Sequence, residues 1–264
     1  MKPVLLVLEL WGIGDVAMAI PFLRRAATAY HVQLLAKPYA VELCARFCPE
    51  VEVIPFQGPW TAYRNKYRLH RWDWPGLSRM LGQVRALKAD VTCSPRWDPR
   101  DHLLMWASNS DRSVGFPRLK SELFLSDPLE APSNPHRSAH WEAIATRLGL
   151  PEIDAPEAVR VGKTAKILMH SGAGQPTRVW PLERFQRLAG WLRAEGHEVR
   201  ILCDADQQQA WQALGVQEVE TPGSIGELLE HLDGADLFVG NDSGPGHLAA
   251  LMGRPTFSVF GPSL

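Results

Sequence analysis

Short apolar runs alternate with amphipathic stretches along the whole chain, a pattern that predicts strand–helix–strand units and parallel sheets. In the first half, residues 4–10 read as a buried strand, 15–30 as a helix, 32–36 as a strand, 38–47 as a helix and 51–56 as a strand. A loop rich in aromatic and basic residues follows (Trp60, Tyr63, Arg64, Lys66, Arg68, Arg71, Trp72, Trp74), then a helix over 77–88, a strand over 91–94 and a helix over 98–108. Residues 117–135 lack periodicity and are rich in turn formers, which predicts a long excursion before a helix over 136–148.

The proline-bearing stretch 151–156 interrupts the pattern, which then restarts. Strands are predicted at 167–170, 198–203, 217–220, 237–240 and 256–260, with helices at 182–195, 205–214, 225–232 and 245–252. The expected organisation is therefore α/β, with two doubly wound domains over 1–155 and 156–264 and ligands at the carboxyl ends of the strands.

Composition narrows the function classes. A chain of 264 residues with 45% apolar content can bury two ordinary cores. The net charge of -1 conceals a slight basic excess in the first 160 residues. That excess is too small for a nucleic-acid binder, although it suits an anionic ligand in the first half. Four cysteines without a CxxC pair read as buried free thiols. The first 22 residues look superficially like a signal peptide, but Glu9 interrupts the apolar run and Asp15 precedes any small-residue cleavage site. The expectation is a cytoplasmic protein with no membrane span, and peripheral contact with the inner face of the membrane stays open.

Three loops carry candidate chemistry. Gly12-Ile13-Gly14-Asp15-Val16-Ala17 formally satisfies the GxGxxG/A dinucleotide fingerprint. Asp15 counts against a nicotinamide cofactor, because it sets a carboxylate where a pyrophosphate should sit, and so does Lys37, which ends the second strand in place of an acid. Two readings of Asp15 stand side by side, a general base for a sugar hydroxyl and a cap for its own helix. The second loop, His170-Ser171-Gly172-Ala173-Gly174, leads to Arg178-Val179-Trp180-Pro181, where glycine-rich backbone and an arginine fork suit phosphate. Packing of Arg178 on Trp180 is the alternative. The third loop, Gly240-Asn241-Asp242-Ser243-Gly244-Pro245-Gly246-His247, ends a strand and opens a helix with its positive end outward, an arrangement that favours anions. Asp242 is read as organising this loop or contacting a sugar hydroxyl, and His247 as reaching a pyrophosphate or packing as a structural histidine.

Taken in order, Gly14-Asp15-Val16, the Gly172 to Pro181 segment, Asp242-Ser243-Gly244 with His247-Leu248-Ala249-Ala250, and the later Gly253, Pro255-Thr256 and Phe260-Gly261-Pro262 resemble glycosyltransferase family 9, the ADP-heptose:lipopolysaccharide heptosyltransferases. Ser94-Pro95-Arg96-Trp97 with Asp98 and Asp101 resembles an acceptor-domain segment of that family. The resemblance implies a GT-B fold, two Rossmann-like domains facing across a cleft, with the acceptor on the N-terminal domain and the nucleotide sugar on the C-terminal one. It implies inverting transfer with neither cofactor nor metal, Asp15 as catalytic base and Arg178 as the cation on the departing diphosphate, at a position where the family usually has lysine. The nucleotide-sugar contacts it implies are Ser171, Gly172, Gly174, Arg178, Trp180, Asp206, Asp242, Ser243, Gly244 and His247. Acceptor contacts are expected at Gly14, Arg64, Lys66 and Arg96, which suit an anionic glycolipid or glycan. ADP-heptose is the favoured donor. The chain stops at Leu264 where family members generally continue through a returning helix, so the resemblance implies a short or truncated member. Two rival classes remain, a nucleotide-sugar epimerase or hydrolase on the same fold and a non-catalytic nucleotide-sugar or glycan binding protein.

Overall fold

The computed structural model describes residues 2–61, 68–154 and 157–261. The chain divides into two units, Met1–Ile153 and Asp154–Leu264.

In the first unit, β1 (Val4–Glu9), β2 (His31–Ala36), β3 (Glu52–Pro55), β4 (Val91–Cys93), β5 (Arg112–Gly115) and β6 (Asp127–Pro128) form one six-stranded parallel sheet in the order β3-β2-β1-β4-β5-β6. Helices α1 (Ile13–Ala29), α2 (Ala40–Phe47), α3 (Trp74–Ala86), α4 (Pro99–Ala107) and α5 (Arg137–Arg147) connect and cover it. Leu5, Leu6, Val7 and Leu8 of β1 are all fully buried, as expected of a central parallel strand covered on both faces. Arg25 of α1 fastens the end of this unit, its Nε donating to the Pro151 carbonyl at 2.7 Å and its Nη1 to Glu142 at 2.6 Å.

Two parts of this unit correct the reading from sequence. The excursion over 117–135 contains a strand, β6, and the preceding β5 was also unforeseen. Side chains hold both. Arg112 and Arg147 converge on Asp127 at 2.5 and 2.6 Å, and Ser113 and Ser126 exchange N–H to hydroxyl hydrogen bonds at 2.9 and 2.8 Å. Helix α3 begins at Trp74 rather than 77, because Asp73 caps it by accepting the Gly76 N–H at 2.9 Å while Pro75 occupies its first turn.

The second unit repeats the plan on five strands. β7 (Lys166–His170), β8 (Glu198–Leu202), β9 (Val219–Glu220), β10 (Leu237–Asn241) and β11 (Thr256–Val259) run parallel in the order β11-β10-β7-β8-β9. They alternate with α6 (Leu182–Ala194), α7 (Gln208–Ala213), α8 (Ile225–Asp233) and α9 (Gly244–Leu251). The predicted helix over 205–214 resolves into a 3-10 turn, Ala205–Gln207, followed by α7. All four cysteines are buried and free.

In both sheets the strand order reverses beside the first strand of the unit. Such a reversal opens a crevice at the carboxyl ends of the two diverging strands. In the first unit that place lies between β1 and β4, and in the second between β7 and β10.

Candidate functional site

The β1–β4 crevice gathers Glu9, Trp11, Asp15 and Arg96. Gly12 is the N-cap of α1, and Asp15, three residues on, reaches back so that its Oδ2 accepts the Gly12 N–H at 2.9 Å. Its other oxygen pairs with Arg96 Nη2, from the loop after β4. The carboxylate fills the place a dinucleotide pyrophosphate would need, and β2 is followed by Lys37 rather than an acid. The Arg96 guanidinium lies 5.0 Å from the centroid of the Trp11 ring, and its Nε is 3.9 Å from Glu9 Oε1.

Glu9 is fully buried, and its Oε1 accepts the Trp11 N–H at 3.4 Å. Burial raises its carboxyl to about 8, with Arg96 and Arg137 pulling it down and Asp15 and Asp101 pushing it up. Asp101 of α4 is likewise buried, accepts the Trp60 indole N–H at 3.0 Å, and is raised by burial to about 6. Arg137 of α5 donates to the Pro95 carbonyl at 2.5 Å and lies 5.2 Å from the Trp97 ring; burial brings it down to about 10. Lys37, half-buried, is also lowered by burial, against the pull of Asp15 and Glu9.

A cavity of about 690 Å³ adjoins this group, within the usual range for small-ligand sites. Trp11, Trp72, Trp97, Arg96 and Arg118 line it, together with Arg100 and its ion-pair partner Asp98, 2.6 Å apart. Of the predicted acceptor residues, Arg96 faces this cavity, Gly14 is buried in the first turn of α1, and Arg64 and Lys66 lie outside the described residues.

In the second unit the β7–β10 crevice gathers the other candidates. Arg178 closes a 3-10 turn, and its Nη1 is 3.2 Å from Asp242 Oδ2. Asn241, fully buried at the end of β10, ties the two loops together: its Oδ1 accepts the Trp180 N–H at 2.9 Å, and its Nδ2 donates to the Ser171 carbonyl at 2.8 Å. Ser171 is fully buried, its hydroxyl donating to Gln207 at 2.9 Å and accepting from the Trp211 indole at 3.0 Å, so its side chain holds the loop in place. Trp180 stacks edge-on against Phe185, 5.0 Å between centroids.

Gly172 presses against Asp204, whose carboxyl occupies the volume a Cβ would take. His170 is buried, its Nδ1 accepting the Gly172 N–H at 3.2 Å and its Nε2 lying 3.7 Å from Asp204 Oδ1; burial lowers its basicity, opposed by Asp204. Asp206 is exposed in the 205–207 turn, and Gly174 is exposed in the loop after β7. At the third loop, Ser243 is the N-cap of α9 but makes no side-chain cap; its hydroxyl donates to the Asn241 carbonyl at 3.2 Å. Among the described residues, the Ser243 side chain thus leaves the amide end of α9 uncapped, the arrangement that suits an anion. His247 is half-buried one turn into α9.

Sequence reasoning missed Glu9, Asn241 and Asp204 as organisers of these crevices. Asn241 directly follows the apolar run that predicts a buried strand, and an amide in that position was the available signal. Among the described residues, no group of three or more His, Cys, Asp or Glu is placed to hold a metal ion, and no helix is long and apolar enough to cross a membrane.

Comparison with known proteins bears on the family and the fold. The family model for glycosyltransferase family 9 (heptosyltransferase) matches residues 118–264, beginning after the Asp15 turn and taking in every second-unit loop described above. Lipopolysaccharide heptosyltransferase 1 of Campylobacter coli is 27% identical over 117 residues, 40% of this chain and 34% of that protein. Lipopolysaccharide heptosyltransferase 3 of Escherichia coli is 31% identical over 114 residues, 36% of this chain and 34% of that protein. The match thus spans about a third of the length of these curated relatives. Among solved structures, a family 9 glycosyl transferase from Veillonella parvula superposes with a TM-score of 0.80 at 18% identity, covering 100% of this chain and 83% of that one. The E. coli heptosyltransferase WaaC, solved with ADP-2-deoxy-2-fluoro heptose, gives 0.77 at 18% identity, covering 99% and 90%. These likenesses show the GT-B type of fold, a pair of parallel-sheet α/β domains. With the family match running over more than half of its length, the chain belongs to glycosyltransferase family 9, the heptosyltransferase family.

Proposed function

We propose that this chain is an inverting glycosyltransferase that moves a sugar, heptose from ADP-heptose in the favoured reading, to a hydroxyl of a lipopolysaccharide-core or related anionic glycan. The observation that carries the proposal is the Asp15 carboxylate held at the β1–β4 crevice, paired with Arg96 at the wall of a cavity lined by indoles and arginines. Indole faces suit sugar rings, and the arginines suit phosphate or carboxylate substituents on the acceptor.

In this mechanism Asp15 takes the proton of the acceptor hydroxyl as its oxygen attacks the anomeric carbon. The bond from that carbon to the diphosphate oxygen breaks, the configuration inverts, and ADP departs. Arg178, the Gly172 to Gly174 backbone and the α9 N-terminus receive the growing negative charge, with no metal called for. Asp242 holds Arg178 meanwhile. Both side chains of this pair keep some exposure, 34% and 21%, and such partly exposed pairs contribute about 0–1 kcal/mol, so a diphosphate displaces Asp242 at little cost. The first unit would hold the acceptor and the second the nucleotide sugar, in a cytoplasmic protein touching the inner face of the membrane only peripherally.

Acceptor dependence tests the proposal. With ADP-heptose as donor, heptose should be transferred only when a lipopolysaccharide-core acceptor is supplied. Release of free or altered sugar without acceptor would replace the proposal by a hydrolase or epimerase, and tight ADP binding without transfer in a folded preparation by a binding protein.

A further inference from the structure

We propose that Glu9 is a positioning residue for Asp15, acting by competing with it for the Arg96 guanidinium. The inference rests on the reading of Asp15 as the base. The geometry is a cation shared between two carboxyls: Arg96 Nη2 is paired with Asp15, while Arg96 Nε is buried, makes no hydrogen bond, and has Glu9 Oε1 3.9 Å away. Glu9 Oε2 is also buried without a hydrogen-bond partner, which is costly for an acid unless it answers a nearby donor in some state of the site. The Trp11 ring beneath the guanidinium keeps Arg96 in the plane where it reaches either carboxyl.

The charged groups around Glu9 come from every neighbouring element: Arg96 after β4, Asp15 on α1, Asp101 on α4, Arg137 on α5 and Lys37 after β2. While Glu9 carries its proton it is neutral and Arg96 rests on Asp15. When Glu9 ionises, near pH 8, it draws Arg96 across the 3.9 Å gap and the guanidinium loosens its hold on Asp15. Glu9 does not touch the reacting atoms. It sets how much of the cation the base retains.

Two backbone amides report the two carboxyls independently of any substrate, since Trp11 N–H donates to Glu9 and Gly12 N–H donates to Asp15. In the full, ¹⁵N-labelled chain, both amide resonances should titrate together with a midpoint near 8. Glu9→Gln should abolish that titration at both amides. Arg96→Met should leave Trp11 titrating, displaced to higher pH by loss of the arginine's pull, and leave Gly12 flat. If Arg96→Met fails to fold, Arg96→Leu takes its place with the same expected outcome. The inference is overturned if Gly12 stays flat in the unaltered chain while Trp11 titrates, or if the Gly12 titration persists in Arg96→Met. A separate turnover assay of Asp15→Asn reports on the base itself, so a failure of that reading is told apart from a failure of the coupling.

Discussion

Arg178 Nη1 lies 3.2 Å from Asp242 Oδ2, a pair that bridges the loop after β7 and the loop after β10 at the point where the strand order of the second sheet reverses. The first unit repeats the device with Arg96, from the loop after β4, and Asp15, from the first turn of the helix after β1. In each crevice an arginine is paired with a carboxylate from its own unit.

Arg178→Ala should weaken ADP binding about 10- to 100-fold, the range for losing hydrogen bonds to a charged group. Arg178→Lys should lose less, because it keeps the charge and gives up the fork. Calorimetric titration with ADP measures both. Equal affinity in all three proteins would remove Arg178 from the donor site.

Asp15→Asn should lower turnover roughly 10²- to 10⁴-fold with the ADP affinity unchanged. Its melting temperature should fall only modestly, since asparagine still accepts the Gly12 N–H but gives up the ion pair with Arg96. Asp15→Ala gives up the cap as well and should cost about 1 kcal/mol of stability. Turnover that survives Asp15→Asn would leave the residue a cap alone.

Gly172→Ala places a methyl in the volume of the Asp204 carboxyl, which is half exposed and can swing aside, and should destabilise the second unit by no more than about 1 kcal/mol. Adding Asp204→Ala should restore most of the loss. Thermal melting of the two single variants and the double variant yields a coupling energy, and additive losses would mean that the contact is not what excludes a side chain at Gly172.

Glu9 also predicts how stability depends on pH. Its folded value, about 8, stands above the ordinary 4.5, so the native state keeps a proton that the unfolded chain releases. The stability it contributes is fully present below about 4.5 and is lost as pH rises toward 8. Glu9→Gln, which cannot ionise, should therefore gain in melting temperature relative to the unaltered chain as pH is raised through that window. A constant difference between pH 5 and 8 would contradict the buried, protonated acid.

The core strands were legible because parallel strands covered on both faces are written as nearly unbroken apolar runs, as in Leu5 to Leu8. Strands β5 and β6 were not legible. Val114 is the one large apolar residue in Arg112–Gly115, Asp127–Pro128 has none, and the Asp127 clamp and the Ser113–Ser126 exchange that hold them are tertiary contacts with no local pattern. The three loops with candidate chemistry stood out by their glycines and helix-start residues. The two readings of Asp15 left open by its sequence meet in one side chain, which caps with one oxygen and offers the other to Arg96. Glu9 was visible only as a break in an apolar run. A buried acid at a strand end acquires meaning when β4 and α1 bring Arg96 and Asp15 beside it.

The central claim, that the second unit is a nucleotide-sugar site of the family's kind, is tested most directly by titrating the purified chain calorimetrically with ADP, UDP and GDP and with their sugar derivatives. Selective binding of ADP and ADP-heptose, weakened about 10- to 100-fold in Arg178→Ala, is the expected result. Selective binding of UDP or GDP would discard ADP-heptose as donor, and no binding of any of them would contradict the proposed function.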